Sequence, residues 1–244
     1  MYRIFSALIV LAFLLPSCQS NSNQAEEGNE SAGASAAGKR SERIFKLEPF
    51  SGIDLRIAAE VELSPGDLQE VLIQADADVL DHLDTSVKNG LWAISSNKRI
   101  VHEDIKIFIT SPLIHRVILS SSGSIDCTGI FKSNEDVELK LSGSGNIHYL
   151  TEAKNLLCEV TGSGDIRAEG KAENLEVEIS GSGSVNATNL EAEDAEVEIS
   201  GSGDCDVDAR DDLDVKITGS GLVRYKGEPK VRSRIQGSGN IRPM

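Results

Sequence analysis

Apolar and polar residues alternate along short segments of the second half of the chain. Gly-Ser-Gly occurs six times there, from 143–145 to 237–239, and provides a reference for comparing the segments. The positions two residues before its first glycine are all aliphatic: Leu141, Val160, Ile179, Ile199, Ile217 and Ile235. Because side chains of a strand point alternately to its two sides, this period of two predicts strands with one buried side.

The spacing of the glycine motif predicts the fold. Successive copies lie 19, 19, 20, 18 and 18 residues apart, and a degenerate copy, Ser121-Ser122-Gly123, precedes the first by 22 residues. A constant short period indicates a solenoid, and glycine lets neighbouring turns stack closely. We therefore predict an all-β chain, a parallel β-helix with rungs of 18–20 residues and an expected right-handed winding. A β-sandwich or β-prism, whose hairpins also accommodate glycine corners, is the alternative.

Residues 44 to about 120 alternate in the same way without regular glycine corners, as in Ile105-Lys106-Ile107-Phe108-Ile109. The stretch from Asp76 to Leu83 predicts at most one short helix. Solenoids need atypical ends. We therefore predict a single solenoid domain over 44–244, in which irregular N-terminal rungs precede regular repeats at about 120–243.

The N-terminus has the pattern of an export signal. Residues 1–17 contain one charge, Arg3, before an apolar run that is too short for a permanent membrane span. The run Leu15-Pro16-Ser17-Cys18 resembles the lipobox of bacterial lipoproteins, which implies that Cys18 is acylated and becomes the new N-terminus. Residues 18–43 are rich in Ser, Asn, Gly, Ala and Glu, which predicts a flexible, lipidated tether.

The charge balance narrows the choice of partners. With 24 basic and 39 acidic residues, the chain has a formal net charge of −15. Such a chain repels nucleic acid and anionic lipid surfaces, so we expect no nucleic-acid partner and membrane contact only through the N-terminal lipid. The acidity favours solubility, or attraction to cations and basic partners.

Several motifs resemble the "head GIN" domain family, a domain of unknown function described as a putative auto-transporter adhesin. They are Phe50-Ser51-Gly52-Ile53-Asp54, the stretch 76–83, and the Ser-Gly-Ser-Gly-[Asn/Asp]-Ile corners at 142–147 and 161–166, the latter beginning with Thr161. The resemblance covers residues 44 to 243. It implies a β-helical fold and a location outside the cytoplasm, and it carries no known activity or site residues. Separately, the lipobox-like run at Cys18, followed by Gln19 and not by Asp, predicts an outer-membrane lipoprotein, and we expect the domain to be exposed at the cell surface.

One column of outward positions carries the main candidate site. If the turns stack in register, Glu176 lies over Glu196 and Glu178 over Glu198, one strand spacing of about 4.8 Å apart. Like charges placed opposite each other are destabilising. The four glutamates are therefore a candidate site for a divalent cation or a basic partner, and a solvated acidic surface is the alternative. Arg232 and Arg234 give the same column a basic end.

The remaining reactive residues form no readable catalytic set. Cys158 and Cys205 occupy inward columns otherwise filled mainly by Val and Ile, and Cys127 lies in the inward column of Tyr149, Ala168, Ala187 and Val207. These positions predict free, buried thiols. The histidines, which are His82, His102, His115 and His148, have no metal-ligand or triad spacing. The Gly-Ser-Gly serines lack the strand-to-helix context of a nucleophile. We expect no enzyme activity and no cofactor other than the cation already named.

Three functions remain open from the sequence. The first is a non-catalytic, lipid-anchored binding or adhesion module that recognises a protein or glycan. The second is a structural envelope protein that self-assembles into homo-oligomers, which exposed outward leucines such as Leu157 and Leu222 would support. The third is a polysaccharide-acting β-helix enzyme, which short rungs disfavour because they leave no room for the loops that build a catalytic groove.

Overall fold

The computed structural model describes residues 40–100 and 104–244. Its first half contains one helical turn, α1 (Ala77–Leu80), and ten short strands: β1 (Arg40–Phe45), β2 (Gly52–Leu55), β3 (Glu60–Pro65), β4 (Glu70–Asp76), β5 (Val87–Lys88), β6 (Leu91–Ile94), β7 (Lys106–Ser111), β8 (Arg116–Leu119), β9 (Ser124–Cys127) and β10 (Phe131–Lys132). The single short helix agrees with the prediction and is shorter than the predicted 76–83.

The second half consists of longer strands in regular order. These are β11 (Val137–Leu141), β12 (Asn146–Gly162), β13 (Asp165–Gly181), β14 (Ser184–Gly201), β15 (Asp204–Gly219), β16 (Leu222–Lys226), β17 (Lys230–Gly237) and β18 (Asn240–Pro243). Strands β12 to β15 each extend from one Gly-Ser-Gly corner to the next. Each turn of the solenoid has three faces. We call the face before a Gly-Ser-Gly corner the first face, the face after that corner the second face, and the remaining one the third face. Each of β12 to β15 therefore runs through the second face, then the third face, and then the first face of the next turn.

Neighbouring strands pair in parallel and in register, which confirms the predicted β-solenoid. In the first face Cys158 pairs with Val177, which pairs with Val197, which in turn pairs with Val215. All four are buried, as are Ile147, Ile166, Val185 and Val223, which follow corners in the second face. Ile241, after the last corner, is partly buried. Because each aliphatic side chain lies over its counterpart in the next turn, the interior is filled by columns of like residues.

Close stacking of the turns explains the glycines at the corners. A Cβ atom on Gly145 would lie 2.2 Å from the carbonyl oxygen of Gly123 and 2.8 Å from Cδ2 of Leu119. No side chain fits between backbones at that separation. The corner sequence is therefore fixed by the approach of the preceding turn.

The first half departs from sequential stacking. Strand β2 lies between β6 and β8, and β3 lies between β7 and β9, all in parallel. Strand β4 then pairs antiparallel with β7, and β1 pairs antiparallel with β4. Antiparallel strands therefore end this side of the second face, where the sequence predicted only irregular rungs.

The N-terminal boundary also differs from the predicted one. Strand β1 begins at Arg40, four residues before the predicted start of the domain, because Arg40 to Phe45 pair with Asp76 to Val71 of β4. The predicted signal peptide, Cys18 and nearly all of the tether lie outside the described residues. No helix in the described part of the chain is long and apolar enough to span a membrane.

Candidate functional site

A groove of about 660 Å³ runs across the first face. It crosses β8, β11, β12, β13, β14, β15 and β17, so its length is about six strand spacings, or roughly 29 Å. Its lining carries seven carboxylates and two arginines. The residues that line it are His115, Arg116, Asp136, Val137, Glu138, Asn155, Leu156, Leu157, Asn174, Leu175, Glu176, Asp194, Ala195, Glu196, Asp212, Asp214 and Arg232. We call this surface the face groove.

Two rows of side chains form the walls of the face groove. One row lies where each turn enters the first face and consists of Asp136, Asn155, Asn174, Asp194 and Asp212. The other row lies two residues further along each strand and consists of Arg116, Glu138, Leu157, Glu176, Glu196, Asp214 and Arg232. The intervening positions, such as Leu156 and Leu175, are buried. Alternation along each strand therefore places both rows on the outer side of the sheet.

The first row is held by an amide ladder. Nδ2 of Asn155 donates to Oδ1 of Asp136 at 2.6 Å, and Nδ2 of Asn174 donates to Oδ1 of Asn155 at 2.8 Å. The next residue in the row, Asp194, is the register partner of Asn174 and has no hydrogen to donate when ionised. The ladder therefore ends in a group of hydrogen-bond acceptors.

The four predicted glutamates lie in register, with Glu176 paired to Glu196 and Glu178 paired to Glu198. Only the first pair lines the face groove. Glu178 and Glu198 lie two residues further along the strands and line a separate depression together with Glu159. The structure therefore divides the predicted site into two neighbouring surfaces.

Ion pairs partly compensate the carboxylates at the ends of the face groove and leave those at its centre without an ion pair in the described part of the chain. At one end Arg116 Nε lies 2.8 Å from Glu138, and at the other end Arg232 lies 2.7 Å from Asp214 and 2.9 Å from Asp212. In the centre, Glu176, Asp194 and Glu196 have no ion pair within the described residues. Free negative charge is therefore concentrated on β13 and β14.

The electrostatic cost of stacked glutamates is visible at Glu178. Desolvation against the sheet raises the pKa of its carboxyl group, and the neighbouring carboxylates of Glu176, Glu159 and Glu198 raise it further. Lys216 approaches Glu198 at 2.6 Å and Lys140 approaches Glu159 at 2.9 Å. The flanking lysines thus compensate Glu159 and Glu198, the outer members of this row, and not Glu178 at its centre.

The arrangement does not resemble a metal centre. Within residues 40–100 and 104–244, no group of three or more His, Cys, Asp or Glu side chains is placed to hold a metal ion. The stacked glutamates face outward from the sheet, and the two pairs line separate surfaces. An extended ligand with several positive groups fits this geometry better than a single divalent cation.

The cysteines lie where the sequence predicts. Cys127, Cys158 and Cys205 are free and buried. Burial raises the pKa of the Cys158 thiol to about 12, and it raises the pKa of Cys205 well above the usual range. Protonated, enclosed thiols are poor nucleophiles.

Two histidines lie beside carboxylates. Nδ1 of His82 lies 3.6 Å from Asp78, four residues earlier in the chain. Nε2 of His148 lies 3.1 Å from Glu169, and its Nδ1 lies 3.7 Å from Asp126 of the preceding turn. Both contacts of His148 form because neighbouring turns stack, so the distances between these residues along the chain do not indicate them. His102 lies outside the described residues.

Three features of the face groove were missed by sequence reasoning. The first row, which contains the amide ladder, appears in the sequence only as an Asp or Asn that recurs once per turn. This pattern is too common in sequences to indicate a site. Leu157 was expected to be exposed, as was Leu222, and both are only partly exposed in the structure. Nδ1 of His115, at the β8 end of the groove, is shielded from solvent and has no hydrogen-bond partner among the described residues.

A comparison with protein families identifies the domain. The sequence model of a family described as "Putative auto-transporter adhesin, head GIN domain" matches residues 49–229. The chain belongs to this family. The matched range includes most of the face groove and ends before β17, so the head GIN domain resemblance seen in the sequence is confirmed.

Solved structures show the same fold. A "putative lipid binding protein" from Parabacteroides distasonis is 26% identical with a TM-score of 0.71, over 85% of this chain and 98% of that one. A "putative adhesin" from Bacteroides fragilis is 24% identical with a TM-score of 0.77, over 84% and 97% of the two chains. A "putative adhesin" from Parabacteroides merdae is 20% identical with a TM-score of 0.71, over 85% and 97%. A comparison with curated proteins found no match.

Proposed function

We propose that this head GIN domain is a non-catalytic adhesion module, exported and anchored to the outer membrane by a lipid on Cys18. The face groove is its binding surface. One observation carries the proposal: a continuous groove crosses seven stacked strands and displays two ordered rows of polar side chains to solvent. Binding over such a length sums many weak contacts, which suits attachment to a surface.

The chemistry of the groove supports binding and not turnover. Its carboxylates are distributed over two rows along the stacked strands, and no nucleophile with an adjacent base stands among its lining residues. The described adhesin character of the family agrees with this reading.

Lipid binding, suggested by the name of one neighbour, fits this chain less well. The interior columns are filled by packed side chains, with Leu139, Val160 and Ile179 fully or almost fully buried. The face groove carries seven carboxylates, which repel anionic headgroups and offer no apolar channel for an acyl chain. A membrane contact is therefore assigned to Cys18 and not to the domain.

Attachment of producing cells tests the proposed function. Cells with the wild-type protein are applied to wells coated with mucin, collagen or fibronectin, beside cells that lack the protein. We expect greater attachment of the wild-type cells to at least one coating, and loss of that gain in the variant Glu176→Gln/Glu196→Gln at equal surface level. Equal attachment of cells with and without the protein on all three coatings contradicts the proposal.

A further inference from the structure

We propose that the face groove binds an extended, lysine- or arginine-rich segment of a partner polypeptide, laid along the stack of turns. The inference rests on the proposed function, because it takes the face groove as the binding surface. It names the chemistry of the partner, which neither the family nor the structural neighbours indicate.

Charge selects a cationic occupant. Arg116 pairs with Glu138 at one end, and Arg232 is shared by Asp212 and Asp214 at the other. Three neighbouring carboxylates in the middle, those of Glu176, Asp194 and Glu196, have no ion pair among the described residues, so unpaired negative charge is densest there. A positive group placed there gains attraction from three carboxylates without displacing an existing ion pair. A negative or neutral occupant gains nothing comparable.

Hydrogen bonding leads to the same chemistry. Both amide groups of the ladder donate toward the β11 side, which leaves Oδ1 of Asn174 beside the carboxylate of Asp194. The centre of the groove therefore presents acceptors, and an occupant must supply the donors. Ammonium and guanidinium groups carry three and five N–H donors and no acceptor.

The partly exposed Leu157 suits the stems of such side chains. It stands in the same row as Glu138 and Glu176, one turn from each. The methylene groups of lysine and arginine cover apolar surface while the charged end reaches a carboxylate. A lysine or arginine side chain can therefore cover Leu157 with its methylene groups and place its charged end beside a neighbouring glutamate.

Groove length favours a polypeptide over a small cation. An extended chain advances about 3.3 Å per residue, so roughly nine residues span the groove. Glycans fit less well because sugar rings commonly stack on aromatic faces, and none of the described lining residues is Phe, Tyr or Trp.

Peptide binding to the full-length protein tests the inference. The probe is a fluorescein-labelled ten-residue peptide of alternating lysine and serine, and the comparison peptide replaces every lysine with glutamine. Binding is followed by fluorescence anisotropy at 20 mM and at 150 mM NaCl. We expect the lysine peptide to bind, the glutamine peptide not to bind, and the affinity to fall with salt.

Matched variants locate the binding site. Glu176→Gln/Glu196→Gln removes two charges from the face groove, and we expect binding to weaken roughly fivefold or more. The control Glu173→Gln/Glu193→Gln removes the same charge from the same two turns outside the groove lining, and we expect less than a twofold change. Circular dichroism melting shows that both variants fold.

Two outcomes overturn the inference. One is equal binding of the lysine and glutamine peptides by the wild-type protein. The other is equal weakening by the groove and control variants, which would mean that net charge alone attracts the peptide. If the groove variant abolishes cell attachment while the lysine peptide fails to bind, the proposed function stands and the partner chemistry is wrong.

Discussion

At the scale of single residues, the fold depends on the glycines at the corners, which have no side chain, as much as on the aliphatic side chains in the core. The second glycine of each Gly-Ser-Gly lies against the backbone of the preceding turn. The cysteines show the opposite situation, since Cys158 and Cys205 fill positions that valine or isoleucine fills in other turns. Both features follow from repeated close stacking.

Replacement of one corner glycine tests this packing. A Cβ on Gly183 would lie 2.3 Å from the carbonyl oxygen of Gly164 and 2.6 Å from Cγ1 of Val160. Because backbone on one side and core on the other leave no room, Gly183→Ala should lower the free energy of unfolding by about 1–3 kcal/mol. Urea unfolding measures the change. The exposed neighbour provides the control, because Ser182→Ala should change stability by less than about 0.5 kcal/mol.

The thiols give a second test at this scale. Since burial holds the pKa of Cys158 near 12, its thiol stays protonated at pH 8 and is enclosed by neighbouring turns. The native protein should therefore leave Cys127, Cys158 and Cys205 unreacted with Ellman's reagent, and all three should react after unfolding in guanidinium. Rapid reaction of any of them in the native state would contradict the inward placement.

At the scale of elements, the stacked glutamates of β13 and β14 impose a pH-dependent cost. The folded-state pKa of Glu178 is raised above its unfolded value, so the native state binds more protons between the two values. Stability contributed by this group is therefore lost as pH rises through that window. Solvent screening limits the effect because Glu178 is exposed.

Neutralising Glu178 should remove this cost. At pH 7 and low salt, Glu178→Gln should be more stable than the wild type by no more than about 0.5 kcal/mol, and the difference should vanish near pH 4 or in 1 M NaCl. Thermal melts at the two pH values measure it. Glu173→Gln, at an exposed position in the same turn, serves as the control. A destabilised Glu178→Gln at pH 7 would show that the stacked carboxylates are not a cost.

The elements also show how far the sequence predicts the structure. A strict period with aliphatic columns is sufficient to predict β12 to β15 and the register of Glu176 over Glu196, because each turn repeats the one before it. The insertion of β2 between β6 and β8 has no such signal, since it depends on contacts between segments more than 30 residues apart. The antiparallel pairing of β1 with β4 is likewise non-local. Strand β5 differs, because it pairs with β6 across the Asn89-Gly90 turn, a local hairpin signal that was overlooked.

The sequence predicts only the glutamates of the candidate site, because the other row of the face groove also depends on how the turns stack. Outward charges are visible in the sequence, so the four glutamates could be placed. The face groove also needs the first row, whose members lie two residues before those of the glutamate row. The first row forms a wall of the groove only when five turns are stacked. A site made by stacking is therefore recognised from columns across the repeats and not from any local motif.

At the scale of the whole molecule, we propose that a lipid on Cys18 and the segment predicted as a tether link the solenoid and its face groove to the outer membrane. Metabolic labelling with an alkyne palmitate analogue tests the anchor. The wild-type protein should incorporate the label and fractionate with membranes, whereas Cys18→Ser should do neither. Incorporation of the label by Cys18→Ser would place the lipid elsewhere.

Surface exposure is the central claim, because a groove facing the periplasm cannot attach a cell to anything outside it. Intact producing cells are treated with proteinase K and immunoblotted for the solenoid domain, beside a periplasmic protein as the control for envelope integrity. The account predicts that the domain is lost while the periplasmic control survives. Survival of the domain until the outer membrane is broken would contradict the adhesion function.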